Sequence, residues 1–98
     1  MEIIKNADGT SLKLALDGRL DTMTAPQLES EIKASCDGVT SLVFDFEKLS
    51  YVSSAGLRVI LGAQKVMNKQ GEMKIVNVNQ DIMEVFEITG FSDILTIE

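Results

Sequence analysis

The sequence has no histidine and no tryptophan, and only one cysteine, one proline and one tyrosine. Without histidine the chain lacks the commonest general base, the commonest metal ligand and any phosphohistidine relay. A lone cysteine, Cys36, excludes an internal disulfide. It falls near the end of a predicted helix, where it reads either as an ordinary small buried residue or as a reactive thiol. The scarcity of thiols fits a reducing cytoplasm. No apolar run approaches the roughly 20 residues of a membrane span, and residues 1–5 lack the pattern of a signal peptide. Basic residues are few as well. Nine Lys and Arg stand against fifteen Asp and Glu, for a formal charge of −6. They are scattered, so neither nucleic acid nor an anionic membrane is expected as a partner. No Walker-type glycine loop is present, so no nucleotide site is expected. Nothing suggests a cofactor or a metal.

What is present is an ordinary globular composition, 45% hydrophobic and 24% charged. Ninety-eight residues make one domain. The chain is organised around residues 42–62. Leu42, Val43, Phe44 and Phe46 form a near-continuous apolar run, which fits a strand covered on both faces in a parallel sheet. Leu57, Ile60, Leu61, Gln64 and Met67 then recur at helical spacing. Between them lie Ser53, Ser54, Ala55 and Gly56. A hydroxyl just before the first periodic residue reads as a helix N-cap. Free N–H groups and the macrodipole also favour an anion there. The residues alone leave both readings of the serine pair open: a structural cap, or a carrier of phosphate.

The rest of the chain frames this unit. Residues 2–5 and 11–16 read as a hairpin turned at Ala7-Asp8-Gly9, and Asp17-Gly18 reads as the end of its second strand. Thr24, Pro26 and Gln27 mark a helix start with a capping-box pattern. Ala25, Leu28, Ile32 and Cys36 form its apolar stripe, and Asp37-Gly38 ends it. The central helix is expected over residues 55–69, stopped by Gly71. Met73, Ile75, Val76 and Val78 read as a strand. A last helix over 80–89 places Ile82, Val85, Phe86 and Ile88 inside, and Ile94, Leu95 and Ile97 suggest a short final strand. Helices alternating with strands imply parallel pairings with right-handed crossovers.

The segment Tyr51-Val-Ser-Ser-Ala-Gly-Leu-Arg-Val-Ile-Leu-Gly62, preceded by Val43-Phe-Asp-Phe46 and Leu49-Ser50, resembles the signature of the STAS-domain family of bacterial anti-sigma factor antagonists. Gly18-Arg-Leu-Asp21, Thr24-Ala-Pro26 and Phe86-Glu-Ile-Thr-Gly90 are similar too, so the resemblance covers nearly the whole chain. It implies one α/β domain over residues 1–98, with a four- or five-stranded mixed sheet and three to four helices packed mainly on one side. In the family this turn usually reads Asp-Ser-Ser/Thr-Gly-Leu, and its first serine is phosphorylated by the partner kinase. Alignment on Gly56 and Leu57 gives that position to Ser54. Two departures stand out. Ala55 removes a neighbouring hydroxyl, while Ser53, in place of the aspartate, supplies a rival one.

Asp21 and Asp45 match two acidic family positions and are expected at the same edge as Ser54. Each reads as a partner contact or an orienter of the serine hydroxyl, or simply as a cap. Gly56 is expected to serve a close backbone approach. Leu57 and Arg58 are expected to be partly exposed and to meet the partner. Met23 and Tyr51 flank the edge as adaptable interface residues or as core. The partner-contacting set is thus Asp21, Met23, Asp45, Ser53, Ser54, Ala55, Gly56, Leu57 and Arg58. The resemblance implies a cytoplasmic protein, monomeric when free, that binds an anti-sigma factor serine kinase and so releases a sigma factor. The kinase, with ATP and Mg, would phosphorylate Ser54, and a serine phosphatase would reset it. The chain is then a substrate and ligand, not an enzyme. A serine with two carboxylates suggests a hydrolase, but no base, oxyanion motif or metal cluster supports one. The alternative is a STAS scaffold, never phosphorylated, inside a larger signalling or transport assembly.

Overall fold

The computed structural model describes residues 1–98. Strand β1 (Glu2–Asp8) pairs antiparallel with β2 (Ser11–Leu20) across a tight turn in which Gly9 takes φ 62°. The hairpin is longer than expected. β2 does not end at Asp17-Gly18: Gly18 adopts φ 115°, and the register against the next strand shifts on both sides of it. A glycine inside a strand marks a bulge here, and the strand continues to Leu20.

Helix α1 (Ala25–Ser35) leads to the long central strand β3 (Ser41–Val52). Then come α2 (Ser54–Gln70), β4 (Glu72–Val76), α3 (Gln80–Thr89) and a single 3₁₀ turn, Phe91–Asp93. The sheet order is β1-β2-β3-β4, with β2, β3 and β4 mutually parallel. β4 ends at Val76 and excludes Val78, because Asn77 turns the chain at φ 60°. The expected final strand reduces to one bridge, in which Ile97 pairs with Ile75 at the β4 edge. Four strands and three helices result.

Register explains the core. Leu12, Leu42 and Met73 stand side by side, as do Leu14, Phe44 and Ile75, and all are buried. Phe46 extends this face, 6.4 Å from the Phe86 ring of α3. Leu28 and Ile32 of α1, and Ile60 and Met67 of α2, belong to the same core. Burying each such side chain is worth about 1.5–3 kcal/mol. The other face of the sheet is not fully covered. Val43, Asp45 and Val76 are half-buried and Ile4 is exposed. β3 is therefore parallel on both sides, as its apolar run implies, but sealed on one face.

In α3 the buried pair is Ile82 and Phe86. Ile88, expected inside, is 85% exposed. Two residues beyond Phe86, it is carried about 200° around the helix and away from the core. Cys36 is buried at the end of α1. Burial, and then the nearby Glu31 carboxylate, push its thiol pKa up, so the protonated and unreactive form persists at neutral pH.

Candidate functional site

The site lies where β2 and β3 end and α2 begins. Leu20 and Val52 are the last paired residues of the two strands, and Ser53 N–H donates to Leu20 O at 2.9 Å. Ser53 is still extended (φ −90°, ψ 173°), and its Oγ accepts from Gly56 N–H at 3.2 Å. Ser53 is therefore the N-cap. Ser54 is the first residue of α2. It is exposed, and its hydroxyl makes no hydrogen bond within the protein. The cap reading thus belongs to Ser53 and not to Ser54. The first N–H groups of a helix have no intrahelical acceptor, so Ser54 sits where negative charge is favoured.

Gly56 holds this turn tightly against β2. A Cβ at that position would meet Leu20 Cγ at 2.6 Å and Leu20 O at 3.0 Å. Leu57, expected to be partly exposed, is instead 5% exposed and part of the core. Its side chain, like the backbone at buried Gly56, shapes the site from beneath and is not available to a partner's surface. Ala55 is half-buried and Arg58 exposed. With Val59 they form one wall of a shallow cleft whose other wall is Thr22, Ala25, Pro26 and Glu29.

Asp21 follows Leu20 directly and reaches this tip. Its Oδ1 accepts from Met23 N–H at 3.0 Å and from Thr24 N–H at 3.1 Å. Its main-chain O accepts from Ala25 N–H at 2.8 Å. Asp21 therefore caps the turn that feeds α1, a role the sequence assigns to Thr24. The Thr24 hydroxyl faces backwards, donating to Arg19 O at 2.7 Å and accepting from Asp21 N–H at 2.9 Å. The capping box with Gln27 does not form, since Thr24 is already helical at φ −101°, ψ −16° and Gln27 Nε2 donates to Met1 O. Partial burial acts to raise the Asp21 pKa. Hydrogen bonds from Thr24 and Met23 and the charge of Arg19 outweigh it and hold the carboxyl below its usual value.

Capping by Asp21 projects Met23 into solvent, where it is 87% exposed. Beside it, the Arg19 guanidinium lies 4.3 Å from the Tyr51 ring centroid, a cation–π pair across the β2–β3 register. Sequence reasoning did not single out Arg19 as a site residue. Only the strand register, which no local pattern encodes, places it on Tyr51.

Asp45 is not at this tip. It pairs with Ala15 and Val76 in mid-sheet, on the face away from the helices. From there to Val52 the strand runs roughly 20 Å at ~3.3 Å per residue. Its Oδ1 accepts from Asn77 Nδ2 and from Glu47 N–H, both at 3.0 Å, and its Oδ2 lies 3.6 Å from Lys13 Nζ. The Asn77 hydrogen bond first, then those from Glu47 and Lys13, lower its pKa against the effect of burial. Asp45 ties β2, β3 and the exit of β4 together and cannot orient the Ser54 hydroxyl.

No group of three or more Cys, Asp or Glu is arranged to hold a metal. No helix is long and apolar enough to cross a membrane. The tip offers a free hydroxyl, a capped helix start, an exposed methionine and two guanidinium groups, with the Asp21 carboxylate committed to the N–H groups of Met23 and Thr24.

A family model described as the STAS domain matches residues 2–98. BtrV of Bordetella bronchiseptica, described as a candidate anti-sigma factor antagonist, is 40% identical over 84 residues, covering 84% of this chain and 72% of that one. The anti-sigma-B factor antagonist of Listeria monocytogenes is 33% identical over 98 residues, covering 97% of this chain and 85% of that one. Among solved structures, the anti-sigma factor antagonist SpoIIAA in its unphosphorylated form superposes with a TM-score of 0.78 at 21% identity, covering 99% of this chain and 87% of that one. The phosphorylated form of the Bacillus protein gives 0.77 at the same identity, covering 99% and 91%.

Proposed function

The chain belongs to the STAS domain family, and from that premise we propose that it is an anti-sigma factor antagonist switched at Ser54. Unphosphorylated, it binds an anti-sigma factor of the serine-kinase type and so frees a sigma factor. The kinase transfers the γ-phosphoryl group of its own ATP to Ser54 Oγ, the hydroxyl proton is lost and ADP leaves. A serine phosphatase hydrolyses the phosphoserine with water, returning serine and inorganic phosphate. The cycle runs in the cytoplasm, where the kinase has ATP and Mg.

The observation that carries this reading is the division between the two serines. Ser53 already supplies the side-chain cap, so the exposed Ser54 hydroxyl has no structural duty. A phosphoserine there adds about −1.5 to −2 charges and three acceptor oxygens. The start of α2 tolerates that charge in the free domain. A partner packed over the same tip meets a desolvated dianion instead. A penalty of about 2.7–4 kcal/mol lowers affinity 100- to 1000-fold. Met23, Ala55, Arg58 and the Arg19–Tyr51 pair are the side chains such a partner would cover, with Asp21 fixing the turn beneath Met23.

The test is kinase binding by calorimetry for wild type, Ser54→Ala and Ser54→Asp, alongside site mapping after incubation with kinase and ATP. The expected result is one phosphoryl group on wild type and none on Ser54→Ala. Ser54→Ala binds as wild type does, and Ser54→Asp binds at least tenfold more weakly, about 1.4 kcal/mol. A Ser54→Asp complex as tight as wild type would overturn the switch. It would favour the scaffold reading, for which Ile88 and Ile94 offer exposed apolar side chains.

A further inference from the structure

Arg58 lies four residues beyond Ser54 on α2, one turn further along the helix. Residues so spaced are adjacent on a helix surface, with Cβ atoms about 5–6 Å apart. Helical side chains lean back toward the N-terminus, so a residue covers the turn that precedes its own Cα. For Arg58 that turn begins at Ser54. The guanidinium is also uncommitted. It is exposed, and none of the four ion pairs in the protein includes it. The carboxylate across the cleft, Glu29, is paired with Lys33 at 3.6 Å. Arg19, the other cation of the tip, is engaged with Tyr51 and Asp21.

We propose that Arg58 is the intramolecular partner of the phosphate on Ser54, a specificity residue that the phosphorylated form turns inward on itself. The inference rests on the reading of Ser54 given above. A guanidinium matches phosphate oxygens bidentately. In the unphosphorylated protein Arg58 is free to meet an acidic group of the partner. Once Ser54 carries phosphate, the same guanidinium is drawn onto it. One modification therefore adds the dianion and withdraws the cation from the same turn. The charged groups around this tip are Arg58 on the helix of Ser54, Glu29 across the cleft on α1, and the Asp21–Arg19 pair at the end of β2. Only Arg58 has both the right sign and no prior partner.

The experiment installs phosphoserine at position 54 during translation, so that it does not depend on any kinase. The second phosphate ionisation, ordinarily near pKa ~6, is then followed by ³¹P NMR titration in wild type, Arg58→Gln and Arg19→Gln. Contributions of the helix start are common to all three, so the differences isolate each guanidinium. The wild-type phosphate should titrate about 0.3 units or more below that of Arg58→Gln. The gap should shrink in 1 M salt, as an exposed pair requires. Arg19→Gln should match wild type. Equal values for wild type and Arg58→Gln, or a shift that follows Arg19, would overturn the assignment. Circular dichroism of each variant shows that the comparison is between folded proteins. Because the phosphate is supplied directly, a null shift counts against Arg58 alone, whereas failure of the kinase to modify Ser54 counts against the switch.

Discussion

Ser53 and Ser54 are adjacent and chemically identical, and a single hydrogen bond separates their roles. Ser53 Oγ accepts from Gly56 N–H, while the Ser54 hydroxyl has no partner. Ser53→Ala should therefore cost about 1 kcal/mol of stability, and Ser54→Ala less than about 0.5 kcal/mol. Thermal denaturation of the two variants against wild type checks this, and a larger loss at Ser54 would return the cap to that residue. Sequence alone could not divide the pair, because either serine stands within cap distance of the first apolar residue of α2. The same difficulty affects Thr24 and Asp21. Both are good capping residues at the start of α1, and only the backbone conformation reveals that Asp21 holds the turn.

At the level of elements, α2 depends on how close it comes to the end of β2. Gly56 permits that approach, since a methyl group there would lie 2.6 Å from Leu20 Cγ. Gly56→Ala should gain up to ~1 kcal/mol in helix propensity, yet lose more to overpacking, typically about 1–3 kcal/mol. A net loss of about 1 kcal/mol is expected in urea denaturation, whereas a stabilised variant would mean that Leu20 yields easily. The elements themselves were legible wherever their periodicity was strong. β3 and α2 appear where Leu42, Phe44, Phe46 and then Leu57, Ile60 and Met67 place them. Boundaries set by a single backbone angle were not legible. Gly18 at φ 115° carries β2 through a bulge, and Asn77 at φ 60° cuts β4 short. Ile88 was misplaced because an apolar residue near the end of a helix has the same letter whether or not a neighbour covers it.

Across the whole molecule, Asp45 acts as a cross-link, bound to Lys13 of β2 and to Asn77 beyond β4. Its carboxyl is held below the usual aspartate pKa of about 3.9. As pH falls, the unfolded chain takes up this proton before the folded one does. The stability that Asp45 contributes is therefore complete above the ordinary value and is lost as pH drops through the lower folded one. The melting temperature of wild type should exceed that of Asp45→Asn most clearly at neutral pH, and the gap should close in acid. A gap independent of pH would assign the effect to packing alone. The separation of Asp45 from Ser54 was hidden from the sequence. The motif that joins them is contiguous, but a strand is extended, and roughly 20 Å of β3 lies between them.

The contact between Leu20 and Gly56 has one more consequence. It packs the end of a central strand closely against the first turn of α2, so the surface around Ser54 rests on close-packed backbone. The phosphate proposed for Ser54 would need no rearrangement of the interior to be read, and nothing would have to relax on its removal. The domain would then hold a message without keeping time, and the message would last only as long as the enzymes that write and remove it allow.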